Sequence, residues 1–227
     1  MTLRYIKHFN HLLDDLEQRS LKRTLKICDS ASAPMMTIDG QAMLTFCSND
    51  YLGLANHPEL AKAIAEGLQR FGSGSGASHM ISGHHRPHDE LEKALAKTQE
   101  SFIPEVRSLF FSTGYMANLA AITAISSSLG SNQVMSIYSE ELNHASLIDG
   151  VRLASKQNQA KVQVFPHQDL QALEQLLAND PNQFKLIVTD GVFSMDGDLA
   201  KVTELLKLAH QYDALILVDD AHGFGVL

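Results

Sequence analysis

The stretch Leu217-Val218-Asp219-Asp220-Ala221-His222-Gly223 is the most informative part of this sequence. It continues an apolar run that begins at Ala214, and such a run predicts a buried β-strand that ends in an acid. A carboxylate can pair with a protonated ring nitrogen, and an imidazole three residues later can reach a substituent of the same ring. The pattern therefore predicts a strand end that holds a heteroaromatic cofactor, with Asp219 and His222 as contacts.

Apolar runs and helical patterns alternate on the amino-terminal side of this strand. The predicted strands are Leu109–Phe111, Val134–Tyr138, Val162–Phe165, Leu186–Val188 and Leu215–Val218, and the predicted helices are Met116–Leu129, Ala145–Ala154, Leu170–Ala178 and Leu199–Gln211. This alternation predicts an α/β fold in which a mainly parallel sheet is flanked by helices on both faces. Ligands bind such sheets beyond the carboxyl ends of the strands, so the residues after each strand are the candidate site.

The first part of the chain has a different pattern. Met1–Lys26 has apolar residues at helical spacing together with acidic residues, which predicts an amphipathic helix packed on the body or on a second subunit rather than a targeting peptide. A short hairpin is expected around Asp39-Gly40. A helix that opens at Pro58 and ends at Gly72 follows, and its predicted buried face consists of Leu60, Ile64, Leu68 and Phe71. We therefore expect an N-terminal helix and irregular segment over residues 1–50 and a large, ligand-binding domain over residues 51–227.

Composition excludes several classes of protein. The net charge is −8 and the lysines and arginines are scattered, so no nucleic-acid footprint is expected. The two cysteines, Cys28 and Cys47, are too few for a disulfide framework and read as reduced thiols of a cytosolic protein. No apolar run approaches the roughly 18 residues that a membrane helix needs.

Three strand ends carry further candidate residues. In Ser112–Asn118 a helix N-terminus offers N–H groups to an anion, Gly114 allows a phosphate to approach, and Tyr115 can lie near a ring. In Asn143–Ser146, His144 can stack on a planar cofactor and bond a substrate carboxylate. In Asp190–Asp198, Ser194 can donate to a ring hydroxyl. The alternative for Ser112–Asn118 is an ordinary strand-to-helix turn. For Asn143–Ser146 it is a helix cap, and for Asp190–Asp198 it is a tight turn.

Two other clusters do not fit the sites that they suggest. The glycines of Gly72–Gly76 follow a predicted helix rather than a strand, so they predict a flexible loop and not a dinucleotide or P-loop site. The histidines His79, His84, His85 and His88 have no nearby cysteine or acid to complete a zinc set, and adjacent His84 and His85 point apart. We expect no metal.

Taken together, the motifs resemble those of the α-oxoamine synthases, which are pyridoxal 5′-phosphate (PLP) enzymes of the aspartate-aminotransferase fold, PLP-dependent transferase fold type I. The resemblance runs from about Leu21 to the last residue. It rests on Ser48–Leu54, Gly74–Ser78, Ser82-Gly83, His88–Glu92, Gly114–Asn118, Asn143–Ser146, Asp190–Asp198 and Asp219–Gly223, which occur in the order of the family.

The resemblance implies a role for each candidate. Gly114 and Tyr115 would contact the phosphate, His144 would stack on the ring, Ser194 and His222 would bond its phenolic oxygen, and Asp219 would pair with its nitrogen. Arg23, Asn49 and His144 would lie near substrate, and His144, Asp219 and His222 form the catalytic set. The implied reaction is the decarboxylative condensation of L-alanine with a pimeloyl thioester, carried out by a cytoplasmic homodimer.

One departure from the family concerns its Schiff-base lysine. In the family that lysine lies downstream of the Asp-x-x-His segment, inside a Thr-x-x-Lys motif, and no such motif occurs in residues 1–227. We therefore expect these residues to be inactive by themselves and to lack the C-terminal small domain. Two alternatives remain open: a relative that uses glycine, such as a glycine C-acetyltransferase or an aminolaevulinate or sphingoid-base synthase, and an inactive truncated paralogue that acts as a binding partner.

Overall fold

The computed structural model describes residues 3–130 and 133–227. The chain divides into two units, residues 1–70 and 71–227, and each is described by itself. The domain boundary expected after residue 50 stays a prediction. Within the described ranges, no helix combines the length and the apolar character that crossing a bilayer requires.

The first unit contains two helices and a hairpin. Helix α1 spans Leu3–Gln18, strands β1 and β2 span Met35–Ile38 and Gln41–Leu44, and helix α2 spans Pro58–Phe71. The hairpin predicted around Asp39-Gly40 is confirmed, because β1 and β2 pair antiparallel. Asp39 and Gly40 have φ angles of 49° and 74°, the positive values that a two-residue hairpin turn of type I′ needs.

Two predictions for the first unit are wrong. Helix α1 stops at Gln18 rather than continuing to Lys26, because Ser20 takes a φ of 56° and Leu21 N–H folds back onto Leu16 C=O. Three of the four α2 residues expected to be buried are open, with Leu60 47%, Ile64 64% and Leu68 50% exposed, whereas Phe71 is half-buried. An apolar stripe at helical spacing shows that a helix can be buried on that face. Whether it is buried depends on another surface that covers the stripe.

The second unit is a helix-covered parallel sheet. After a π-helical turn at His79–Gly83 come α3 (Arg86–Gln99), α4 (Gly114–Ser127), β3 (Met135–Glu140), α5 (Ala145–Asn158), β4 (Lys161–Phe165), α6 (Leu170–Asn179), β5 (Phe184–Asp190), α7 (Val202–Gln211) and β6 (Ala214–Asp219). The sheet has the order β4-β3-β5-β6 with all neighbours parallel. The predicted parallel α/β architecture is confirmed.

Both faces of the sheet are packed, because successive side chains of a strand point to opposite faces. Ile137 and Leu186 belong to one buried cluster, which includes Ile122 of α4 and Leu147 of α5. Their neighbours in the strands, Tyr138 and Ile187, belong to a second cluster. That second cluster includes Phe165, Leu173 and Leu177 of the β4–α6 unit and Leu205 of α7. The long apolar runs in the sequence are those of strands that are buried on both faces.

The predicted strand at Leu109–Phe111 does not form. The segment is irregular, Leu109 is 76% exposed, and Phe110 N–H donates to the Glu92 carboxylate at 2.9 Å instead of to a ladder. A strand exists only when a neighbouring strand pairs with it, and pairing is not encoded in an apolar run. Helix α7 also begins later than predicted, at Val202 instead of Leu199, which forms an isolated bridge with Val192.

Candidate active site

The carboxyl ends of β5 and β6 and the first turns of α4 and α5 surround one pocket. The sheet register places Asp190 and Asp219 side by side at the ends of their strands. The cavity has a volume of about 610 Å³, which is within the usual range of small-molecule sites. Its lining residues are Leu95, Gly114, Tyr115, Ala117, Asn118, His144, Ser146, Asp190, Ser194, Val218, Asp219, Asp220, Ala221, His222 and Phe224.

Six predicted cofactor contacts therefore share one pocket, although they lie on four separate segments of the chain. These six are Gly114, Tyr115, His144, Ser194, Asp219 and His222. The two remaining candidates, Arg23 and Asn49, belong to the first unit and are exposed there. Their role near substrate stays a prediction.

The carboxylate of Asp219 is held in a fixed orientation. Asn118 Nδ2 donates to one of its oxygens at 2.7 Å, and Ala221 N–H donates to the other at 3.0 Å. Asn118 belongs to the predicted Ser112–Asn118 motif, in which no role was expected for it. Its only sequence signal is an amide on α4 one turn after the predicted anion site. A half-buried carboxylate fixed in this way can accept a further bond from a protonated ring nitrogen.

A hydrogen-bonded chain links Asp219 to His144. The amide of Asn118 donates also to Ser146 Oγ at 2.9 Å, and Ser146 Oγ lies 2.7 Å from His144 Nδ1. His144 caps helix α5, because its Nδ1 accepts from Ser146 N–H at 3.2 Å. With Nδ1 accepting, the neutral ring carries its proton on Nε2. The ring is exposed toward the pocket, so one face is open to stacking.

The first turn of α4 can receive an anion. Thr113 caps the helix by accepting from Met116 N–H at 3.1 Å. A Cβ added at Gly114 would meet no atom of the chain within 4 Å, so the space beside this glycine is open for a ligand. The amide N–H groups of a first helical turn lack intrahelical partners and point outward with the positive end of the helix dipole. These features fit the predicted phosphate site.

Tyr115 at the same turn donates a hydrogen bond to the carboxylate of Asp149 on α5. This bond raises the pKa of the Tyr115 hydroxyl, with burial and the Asp149 charge as smaller causes, and it lowers the pKa of Asp149. The hydroxyl therefore stays protonated, and the ring of Tyr115 is fixed at the rim of the pocket.

Asp190 is a largely buried residue of the pocket lining, and it anchors the loop that carries His144. Its Oδ2 accepts from His144 N–H at 2.7 Å, and its own N–H donates to Asn143 Oδ1 at 3.0 Å. Burial raises the pKa of Asp190 to about 6. The His144 N–H bond opposes this increase, and the negative charge of Asp219 adds to it. Asp190 is thus a structural acid whose proton affinity the fold has increased.

Close packing of two loops places Ser194 and His222 on the pocket wall. A Cβ at Gly223 would lie 2.2 Å from Asp220 Oδ1, and one at Gly191 would lie 3.1 Å from the same atom. Both positions therefore fit glycine, and Gly191 N–H donates to Asp219 C=O at 2.7 Å. The turn that begins at Gly191 is drawn against the end of β6, which brings Ser194 and His222 to the same cavity.

The histidine cluster has a geometry closer to that of a metal site than the sequence suggested. One ring nitrogen from each of His79, His84 and His88 lies within 4.8 Å of the others, and Glu92 comes within 3.9 Å of His84 Nε2, so an acid is nearby after all. However, His88 Nδ1 accepts from His85 N–H at 3.0 Å as part of the cap of α3. A neutral His88 then has its proton on Nε2, so a metal would have to break the cap. The expected absence of a metal stays a prediction.

Comparison with known proteins places this geometry in context. Residues 41–227 match the family model described as aminotransferase class I and II. The chain is 49% identical over 225 residues to an 8-amino-7-oxononanoate synthase of Bordetella petrii, covering 99% of this chain and 54% of the relative. It is 53% identical over 215 residues to one of Janthinobacterium sp., covering 95% and 52%. The chain thus spans about half the length of these curated relatives.

Solved structures show the same fold. A serine palmitoyltransferase of Sphingomonas wittichii superposes with a TM-score of 0.80 at 28% identity, covering 96% of this chain and 52% of that one. A serine palmitoyltransferase of S. paucimobilis with a bound PLP–myriocin aldimine superposes with a TM-score of 0.78 at 28% identity, with the same coverage. The fold is therefore PLP-dependent transferase fold type I, as the family resemblance implied.

Proposed function

We propose that this chain, which belongs to the aminotransferase class I and II family, forms part of an 8-amino-7-oxononanoate synthase. The proposed reaction is the PLP-dependent decarboxylative condensation of L-alanine with pimeloyl-CoA or pimeloyl-ACP in biotin biosynthesis. Relatives of that name at about 50% identity support the assignment.

The convergence of six separate motif residues on one pocket is the observation that carries this proposal. A phosphate cradle at Gly114 and Tyr115, a stacking imidazole at His144 and a fixed carboxylate at Asp219 are the parts that a phosphorylated pyridine ring needs. A shared fold without these residues would support only the fold assignment.

PLP, when bound, supplies an electron sink for a carbanion formed on the amino acid. Asp219 would keep a proton on the ring nitrogen, because a carboxylate beside that nitrogen favours its charged form. The first turn of α4 would hold the phosphate, and Ser194 and His222 would bond the phenolic oxygen. His144 would stack on the ring and would orient the substrate carboxylate through Nε2–H, since its Nδ1 is engaged by Ser146.

Residues 1–227 alone are proposed to be inactive. No lysine is found among the residues that line the pocket in the described ranges. The family forms its covalent link to the cofactor through a lysine amine, which acts as a nucleophile when uncharged. These residues would thus bind the cofactor without forming that link.

The decisive experiment is a condensation assay on the full-length protein loaded with PLP. L-Alanine with pimeloyl-CoA or pimeloyl-ACP is expected to release carbon dioxide and give a product with the mass of 8-amino-7-oxononanoate. The comparison of the two thioesters identifies the acyl carrier. Absence of this product with both carriers, from a protein that binds PLP, contradicts the proposal.

A glycine-using or serine-using relative is the competing assignment, and the likeness to serine palmitoyltransferases at 28% identity favours testing it. Glycine and serine with acetyl, succinyl and palmitoyl thioesters provide the comparison. A higher kcat/KM for any of these pairs than for alanine with pimeloyl thioester would replace the leading proposal. We further propose a cytoplasmic homodimer, and size-exclusion chromatography with light scattering tests its oligomeric state directly.

A further inference from the structure

A partly buried imidazole, with 22% of its side chain exposed, lies between two carboxylates. His167 Nδ1 is 2.8 Å from Glu140 Oε1, and His167 Nε2 is 3.1 Å from Asp198 Oδ2. The edge of its ring meets Phe193, with ring centroids 4.5 Å apart and planes at 87°. His167 lies outside the pocket lining, and it belongs to none of the predicted motifs.

Glu140 needs a cation at this position. Its carboxylate is 3% exposed, and it also accepts from Gln168 N–H and from Thr189 Oγ1, each at 2.8 Å. A buried carboxylate is costly unless it is paired and hydrogen-bonded. When protonated, the facing imidazole pairs by charge with Glu140, 2.8 Å from its Nδ1 but outside hydrogen-bond geometry, and it donates through Nε2 to Asp198, whose side chain is 51% exposed.

The protonation state agrees with this geometry. Burial lowers the pKa of His167, but the bond to Asp198 and the charge of Glu140 outweigh it, so that its pKa is raised above 6.5. The other polar groups near the imidazole are the amide of Gln168, at 3.4 Å from Nε2, and Lys201 Nζ, which donates to Gln168 C=O at 3.1 Å. The two carboxylates are thus the charged groups in direct contact with the ring.

The contacts of His167 bracket Ser194. Phe193 N–H donates to Asp198 C=O at 3.0 Å, and Gly197 N–H donates to Phe193 C=O at 2.7 Å, so residues 193–198 form one closed turn. Phe193 is 1% exposed and precedes Ser194 directly. The imidazole therefore touches the turn at both of its ends, whereas Ser194 lies between them on the pocket wall.

We propose that His167 is a positioning residue: as an imidazolium clamped between Glu140 and Asp198, it holds the 193–198 turn so that Ser194 stays in contact with the cofactor. The proposal deepens the proposed function and rests on it for the identity of that cofactor. The residue acts on the ligand only through the turn.

The first test needs no ligand. Hydrogen–deuterium exchange of the full-length apoprotein is compared between the parent, His167→Gln and Asp198→Asn. Asp198→Asn leaves the pair of Glu140 and His167 intact and weakens only the link to the turn, so it avoids a failure to fold. Both variants are expected to lose protection over residues 193–198 and to keep it over β5. Unchanged protection of the turn in Asp198→Asn would overturn the proposal.

The second test separates positioning from general stabilisation by a double-mutant cycle on PLP affinity, measured by fluorescence titration. Ser194→Ala and His167→Gln are each expected to weaken binding roughly tenfold, the scale of one hydrogen bond to a ligand. The double variant is expected to lose about the same tenfold rather than a hundredfold, since both changes remove one contact. Additive losses would mean that His167 does not act through Ser194.

Controls keep the outcomes distinct. His210→Gln, at an exposed histidine on α7, should change neither protection nor affinity. Protection of the turn in the parent should decrease as pH rises through the raised pKa of His167, and this decrease should be absent in His167→Gln. If no condensation activity is found but both variants lose protection over residues 193–198, the proposed function is wrong and the positioning role of His167 is supported. If neither substitution changes the protection of the turn, the positioning role of His167 is wrong, whether or not the protein is active.

Discussion

The neighbouring strands β5 and β6 both end in an aspartate, and the two carboxyl groups have different surroundings. Asp190 is buried, accepts from the backbone of His144 and has its pKa raised to about 6 by burial. Both residues line the cavity, but Asp219 is only partly buried and is oriented by Asn118. Residue type and strand position are the same, so burial and partners alone separate a structural acid from one that can meet a ligand.

The largest effect is expected from removing the charge at the pocket. In the full-length protein, Asp219→Asn should lower kcat by at least about 100-fold, the scale of losing one preorganised electrostatic contact, because the ring nitrogen loses its anionic partner. Steady-state kinetics with circular dichroism as a folding check provides the measurement. A variant that folds and turns over normally would remove Asp219 from the role proposed for it.

A smaller effect is expected from the residue that orients this carboxylate. Asn118→Ala should reduce kcat/KM roughly tenfold, since one polar partner is lost from each of Asp219 and Ser146. The matched control is Asn158→Ala. Asn158 also links α5 to α4, through Thr123 C=O and Ser126 Oγ, but outside the pocket. The control should lose stability without losing kcat/KM, and equal kinetic losses in both variants would contradict an orienting role.

Asp190 is expected to affect stability rather than turnover. Its folded pKa of about 6 exceeds the unfolded value of 3.8, so the folded state binds the proton more tightly. Stability should therefore decrease as pH rises from about 4 to about 6, by about 1–3 kcal/mol. Asp190→Asn should flatten that part of the pH profile in urea unfolding of the apoprotein. Asp196→Asn, at an exposed turn position, should keep the profile of the parent.

The smallest effect concerns an acid at the pocket rim rather than at a strand end. Tyr115→Phe removes the bond to Asp149 but keeps the aromatic ring. PLP affinity should change by no more than about threefold, because exposed polar contacts contribute little. A larger loss in a fluorescence titration would show that the Tyr115 hydroxyl itself binds the cofactor. Asp149 would then be, after Asp190 and Asp219, a third acid with an effect on the pocket.

The sequence predicted the sheet and most of the pocket because both depend on local patterns. An apolar run that ends in a polar residue marks a strand end, and parallel strands bring their carboxyl ends to one edge. His144, Ser194 and Asp219, which this logic picked out, line a common cavity, and their roles there stay a prediction. It could not distinguish Asp190 from Asp219, since the burial that separates them is a property of the assembled sheet.

The failures have a common physical cause. The segment Leu109–Phe111 and the apolar face of α2 have the right residues for a strand and a buried helix, yet each depends on a partner surface that its own pattern does not specify. The orienting role of Asn118 and the clamp at His167 are likewise contacts between distant segments. A single residue of this kind is not part of a periodic pattern, so such a contact cannot be predicted from the sequence pattern.

The bond between Asn118 and Asp219 joins residues that are 101 positions apart. A contact of this range closes a long loop, and its entropic cost can be met only after the intervening strands have paired. We therefore expect the pocket to be among the last parts of the chain to form during folding. Cofactor capture would then report on complete folding, and it would draw the folding equilibrium toward the finished protein by mass action.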